Sequence, residues 1–312
     1  MTEGWEEKMS RETEKTLQDF MNFLEKNGDG KKIGELADVY FGQGGNSGKR
    51  SSVQECADDY LELAEEAKTK KKRLEYLNKA LELEPDNLDA ALMLIDEKAK
   101  NAVEKLNELA ALTEKGDKLM TDGGFFRENK GDFWLVLETR PYMRVRMEYF
   151  HTLIACGMMR PAAREGQRML ELCDNDNLGV RFSLMHLYAQ LEEEKAAKKL
   201  LKEYGEHDES MMLLAMAVLY FKLNKRDISA EYLKRLMLIN RDTKKFFSAF
   251  VRDKIEEYAE QLNPYGYCPN TIEELITAVM DNDFLYVSTP GFFWWANDCI
   301  KGMDRKKSAP KK

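Results

Sequence analysis

Ala162, Ala196 and Ala230 recur at intervals of 34 residues, and each stands where the second helix of a helix pair is expected to open. This period constrains the fold more than any other feature, because repeated units too small to bury their own apolar faces must stack on their neighbours. The clearest unit is CADDYLELAEEAKTKKKRLEYLNKALELEPDN, with Ala57, Leu61 and Ala64 on a first helix, Leu77, Ala80 and Leu81 on a second, and Pro85 closing it. Small residues let two antiparallel helices approach, and a proline after the second forbids its continuation. The segments RLEYLNKALEL (73–83) and AEYLKRLMLI (230–239) share an EYL core. In LGVRFSLMHLYAQL, Val180, Leu184, Leu187 and Leu191 form a helical stripe that must face a neighbour.

Composition agrees with an all-α chain. Of 312 residues 43% are hydrophobic and only seven are proline, so a continuous helical core is within reach without covalent staples. The formal charge of −8 sets the overall field against nucleic acid and anionic membranes. Five scattered cysteines with no C-x-x-C pair suggest a reducing, cytoplasmic setting, and no apolar run is long enough to suggest a membrane span.

The expected organisation is an N-terminal helical extension (1–41), a glycine- and serine-rich linker (42–52), helical repeats (53–250), a C-terminal helical cap (251–304) and a basic disordered tail (305–312). In the extension, Leu17, Phe20, Met21 and Leu24 share a face at helical spacing. Thr271 with Glu274 three places on reads as a capping box opening another helix. The aromatics Phe292, Phe293, Trp294 and Trp295 are expected to cover the end of the stack. In GDFWLVLETRPYMRVR (131–146), Thr139 reads as an N-cap with Pro141 in the opening turn, Trp134 as a buried anchor, and Arg144 and Arg146 as the remaining candidates for binding.

The motifs of chemistry are wanting, and no catalytic, cofactor-binding or metal-binding residue is expected. His151 and Cys156 diverge by about 140° on one helix, and no nucleophile elbow accompanies the other histidines, His186 and His207. NGDGKKIGE fails as a calcium loop because its first, third and fifth ligand places hold Lys26, Gly28 and Gly30. GNSGKRS fails as a phosphate loop because Gln43 and Arg50 stand where glycine and serine are required. DNDN (174–177) reads as a helix cap through Asp176 or Asn177.

Small residues in both helices, an aromatic in the first and the closing ALELEPDN resemble the tetratricopeptide repeat. Over residues 70–296 the chain is similar to a widespread bacterial family of such proteins of uncharacterised role, itself distantly similar to the suppressor-of-tumorigenicity tetratricopeptide family. That resemblance rests on ALELEPDN, GDFWLVLETRPYMR, MLELCDNDNLGVR and STPGFFWW. It implies a solenoid of antiparallel helix pairs forming a right-handed superhelix, and it brings no catalytic motif. Asp174 stands where that family has proline, which should loosen the turn.

Such arrays line a concave groove with their first helices, so the expected function is a non-enzymatic scaffold that binds a segment of another protein there. The candidate groove residues are Arg144, Glu148 and His151 on one first helix, and Arg181, Met185 and Tyr188 on the next. The Lys and Asn set that clamps a terminal carboxylate in related domains is not supplied. The alternative is a cytosolic regulator acting on nucleic acid or a signalling peptide through its tail or N-terminal helix.

Overall fold

Long runs of Leu, Ala, Glu, Lys and Met, punctuated by Asn, Gly and Pro, dictate short helices with abrupt ends, and that is what the chain forms. The structure, a computed structural model, describes residues 56–205, 208–263 and 266–308, with ten further positions between Thr13 and Tyr40. The proposed linker (42–52), the NGDG and GNSGKRS strings, His207 and the last four residues lie outside the described residues. Among the described residues regular structure is helical throughout, with one isolated bridge, Asp132 to Cys173, and no strand.

The chain divides into two compact units, the first comprising Met1–Glu128 and Phe133–Val145, the second Asn129–Asp132 and Arg146–Lys312. The first unit holds α1 (Ala57–Glu66), α2 (Lys70–Leu83), α3 (Leu88–Lys98), α4 (Ala102–Asp122) and α5 (Phe125–Glu128). It also holds a 3-10 turn (Leu137–Thr139) and the first turns of α6 (Arg140–Ala155). Consecutive helices pack in order, α1 on α2, α2 on α3 and α3 on α4. Ala57, Leu61, Ala64, Leu77 and Ala80 are the buried seam of the first pair, as their spacing requires. Asn87 caps α3 by accepting from the Ala90 amide at 2.9 Å, two residues beyond Pro85.

The second unit holds the rest of α6, then α7 (Met159–Leu172), α8 (Val180–Leu191), α9 (Glu194–Tyr204), α10 (Ser210–Lys222) and α11 (Arg226–Ile239). Ala162, Ala196 and Ala230 lie within the first five residues of α7, α9 and α11, as the period predicted. Here α8 packs on α7, α9 and α10, and α10 on α11. The tyrosine of each EYL segment meets a tyrosine of its paired first helix, Tyr76 with Tyr60 at 6.2 Å and Tyr232 with Tyr220 at 5.4 Å. The segment is completed by α12 (Thr243–Val251), α13 (Ile255–Ala259), α14 (Ile272–Asp281), α15 (Asp283–Val287) and α16 (Gly291–Ser308).

Several expectations need correction. The C-terminal segment is not confined to an end: α15 packs on α8, α14 on α10 and α12, and α16 on α11 and α12. Phe292 and Phe293 are buried among Phe246, Phe247 and Phe250, whereas Trp294 is 56% exposed. Residues 305–308, expected in a disordered tail, continue α16. Leu17 and Met21 are exposed, while Phe20 and Phe23 each meet Tyr40 at 5.3 Å. Thr271 does cap α14, but Glu274 accepts from the amide of Asn270 rather than from that of Thr271. Asp174 does not loosen its turn: its amide donates to Gly131 at 2.8 Å, a bond that proline could not make.

Candidate functional site

The lead-in to α6 organises the first unit. Phe133 is its fully buried anchor, against Phe126 and Tyr142, while Trp134 is only half-buried and takes the Arg140 guanidinium over its ring at 5.3 Å. Thr139 is buried as well, but its hydroxyl donates to the carbonyls of Phe133 and Val136 instead of capping α6. Leu135, next to Trp134, is 57% exposed. Tyr142 donates its phenol proton to Asp117 and presses its ring against Gly116 of α4, where any Cβ would lie 2.7 Å from a ring carbon.

Arg144, one turn after Arg140 on α6, is only 8% exposed. Its Nε and Nη2 donate to both oxygens of Asp89, at 2.8 and 2.6 Å, and its Nη1 donates to Glu14 at 3.0 and 3.1 Å. Arg140 also donates to Glu14, at 3.1 Å. Burial opposes the charge of Arg144, yet the pull of Asp89 and Glu14 outweighs it and holds the guanidinium above the ordinary arginine range. A bidentate fork of this kind fixes the start of α6 against the first turn of α3.

Beside this network lies a cleft of about 830 Å³. Its base is Leu61 of α1, Leu88 of α3 and Met120 of α4, all buried. Leu119, Phe125, Leu137 and Pro141 supply half-exposed apolar walls. Carboxylates surround them: Asp58, Glu62, Glu65 and Glu66 from α1, Asp86 before α3, and Glu138 on the 3-10 turn, besides Glu14 and Asp89. Among the described residues the single lining cation is Arg144, which those last two carboxylates engage. The acidic side of α1 follows from ADDYLELAEE, where Ala57, Leu61 and Ala64 take the seam and Asp58, Glu62, Glu65 and Glu66 stand off it. Asp86 binds Lys115 of α4 at 2.9 Å.

The residues of the second candidate helix, α8, are placed differently. Met185 is fully buried and Tyr188 nearly so, its hydroxyl accepting from Gln167 at 2.6 Å, so neither presents a surface. Arg181, with its side chain 20% exposed, chelates Glu209 at 3.1 and 2.8 Å and binds Asp176 at 2.9 Å. Asp176 in turn accepts from the amides of Val180 and Arg181, so it satisfies the opening amides of α8, but from three residues before the N-cap, which is Gly179 rather than a residue of DNDN. Glu148 and His151 on α6 are half-buried. Arg146 is buried and paired with Glu165. Arg144 and Arg181 therefore fall in different units, each already engaged by two carboxylates.

His186, for which the sequence offers no nucleophile elbow, sits under the C-terminal segment. Its Nδ1 lies 2.7 Å from the carbonyl of Phe182, which can only accept, so Nδ1 carries the proton and Nε2 accepts from the Tyr286 hydroxyl at 2.8 Å. Burial pulls this imidazole down to about 4. The signal for its burial was the apolar run around it in α8, Leu184, Met185, Leu187 and Tyr188, not the histidine itself.

Among the described residues no group of three or more His, Cys, Asp or Glu has a geometry that could hold a metal ion, and no helix is long and apolar enough to cross a membrane. All five cysteines are unbridged. No protein-family model matches the chain, and no curated protein is similar enough to it to count as a match.

Proposed function

We propose that the protein is a non-enzymatic interaction module of tetratricopeptide character, acting in the cytoplasm, and that it binds a segment of a partner protein in the cleft of its first unit. The observation that carries this reading is that the cleft is lined by α1, by the opening turns of α3 and α6, and by the end of α4, with apolar side chains at its base and walls. In helix-pair arrays the first helices are the recognition surface. Supporting the repeat character, α8 packs on the helix before it, on its own partner α9 and on the next first helix α10.

Recognition on this reading belongs to the walls of the cleft. Arg144 shapes one of them and is held in place by Asp89 and Glu14. The first helices of the second unit contribute scaffold, since their apolar faces are already covered by α14, α15 and α16.

A photo-crosslinking side chain at position 137, half-exposed in the cleft wall, tests this directly. Expected are discrete partner adducts in the native cell, identified by mass spectrometry, that do not form when the probe replaces Leu238, an exposed leucine on α11. Equal labelling from both positions would remove the cleft from the account.

A further inference from the structure

The geometry points to a cationic amphipathic segment as the occupant of the first unit's cleft, an assignment that rests on the cleft being a protein-binding site. Among the described residues eight carboxylates and one guanidinium line the cleft; Asp89 and Glu14 engage that guanidinium, and Asp86 is held by Lys115. Of the others, Glu66 and Glu138 are exposed and stand on separate elements, α1 and the 3-10 turn. A ligand that enters such a site displaces water from acidic groups, and the desolvation is offset only if it brings positive charge. Nucleic acid, phosphorylated peptides and anionic lipid headgroups carry the wrong sign.

Charge alone does not define the occupant. The base and walls are Leu61, Leu88, Leu119, Met120, Phe125, Leu137 and Pro141, and a small polyamine would leave much of that surface uncovered. A volume of about 830 Å³ is near the top of the range for small-ligand sites, roughly 300–1,000 Å³, and accommodates several side chains. Apolar anchors on one face with lysine or arginine flanking them match both features at once. Phe125 is positioned for this by Gly123, since a Cβ there would lie 2.6 Å from its ring.

The test uses the full chain and three fluorescent peptides read by anisotropy. One is an amphipathic Leu/Lys peptide, the second has the same leucines with every Lys replaced by Glu, and the third keeps the lysines but has Ser for Leu. The first should bind about tenfold more tightly than either of the others, and should weaken as salt rises from about 0.05 M to about 0.5 M. The variant Glu66→Lys/Glu138→Lys, at two exposed positions and with its fold verified by circular dichroism, should lose most of that binding. Glu256→Lys/Glu257→Lys, on exposed α13, should not. Equal binding of the Glu peptide, weakened by Leu137→Gln, would overturn the charge assignment and leave the cleft reading standing. Equal binding of the Ser peptide, or competition by spermine alone, would reduce the site to a polycation surface and overturn the proposal. Binding by none of the three, or binding by all of them that ignores Leu137→Gln, would overturn the cleft reading itself.

Discussion

The first helices of the two units obey one pattern and meet opposite fates. In α1, ADDYLELAEE, only Ala57, Leu61 and Ala64 are buried, and the other face carries the acids of the cleft. In α10, SMMLLAMAVLYFK, every residue from Ser210 to Tyr220 is buried. A helix that is apolar all round must be enclosed on all sides, and α10 is enclosed by α8, α11 and α14. What separates an open helix from an enclosed one here is the hydropathy of the face turned away from its partner, and that property is written in each helix's own sequence.

The two candidate arginines sharpen this contrast most strongly. Arg144→Ala would leave Asp89 buried without its counter-charge, which costs about 3–5 kcal/mol for a buried pair. Arg181→Ala removes a more exposed guanidinium, and Asp176 keeps two backbone amides, so the expected loss is only about 1 kcal/mol. Urea unfolding of the two variants measures both. Equal losses would break the distinction between a buried organising arginine and a peripheral one.

The second expected effect belongs to the second unit alone, because the first contains no histidine. His186 has a folded pKa of about 4, below the ordinary value near 6.5, so between those limits the unfolded chain takes up a proton that the native chain does not. The stability present above about pH 6.5 is therefore lost as the pH falls, by about 2 kcal/mol at pH 5. Unfolding midpoints at neutral and mildly acid pH should show this step, and His186→Gln, which keeps a donor and an acceptor, should flatten it. A full step in that variant would assign the acid sensitivity elsewhere.

Much of the helix grammar was legible because it is local. Pro85, the seam of Ala57, Leu61 and Ala64, and the alanines at the openings of α7, α9 and α11 depend on neighbours within a turn or two. The candidate site was less legible because its determinants are remote. Nothing near Arg144 in sequence announces Asp89, 55 residues away, or Glu14, 130 away. Tyr188 and Met185 fit a groove face by spacing, and only the packing of α8 by α7, α9, α10 and α15 shows them enclosed. The aromatic run at 292–295 announced burial but not which helices it would meet.

The smallest expected effect compares two glycines in equivalent places. Gly116 on α4 faces Tyr142, and Gly166 on α7 faces Phe150, so each lets an aromatic of α6 approach a preceding or following helix. Alanine in a helix interior gains about 1 kcal/mol over glycine, which favours both substitutions before packing is considered. At Gly116 the added Cβ would lie 2.7 Å from a ring whose hydroxyl is held by Asp117, so the ring cannot withdraw. Overpacking there should exceed the helical gain and leave Gly116→Ala destabilised by about 1–2 kcal/mol. At Gly166 the nearest atom is 3.0 Å away and belongs to Phe150, with Leu184 next at 3.3 Å. A shift of a few tenths of an ångström relieves that contact, so the two contributions to Gly166→Ala should nearly cancel. Thermal unfolding of the pair measures the difference. If Gly166→Ala lost as much as Gly116→Ala, the tighter seam would not be peculiar to the unit that holds the cleft, and the anchoring of Tyr142 by Asp117 would not be what makes it rigid.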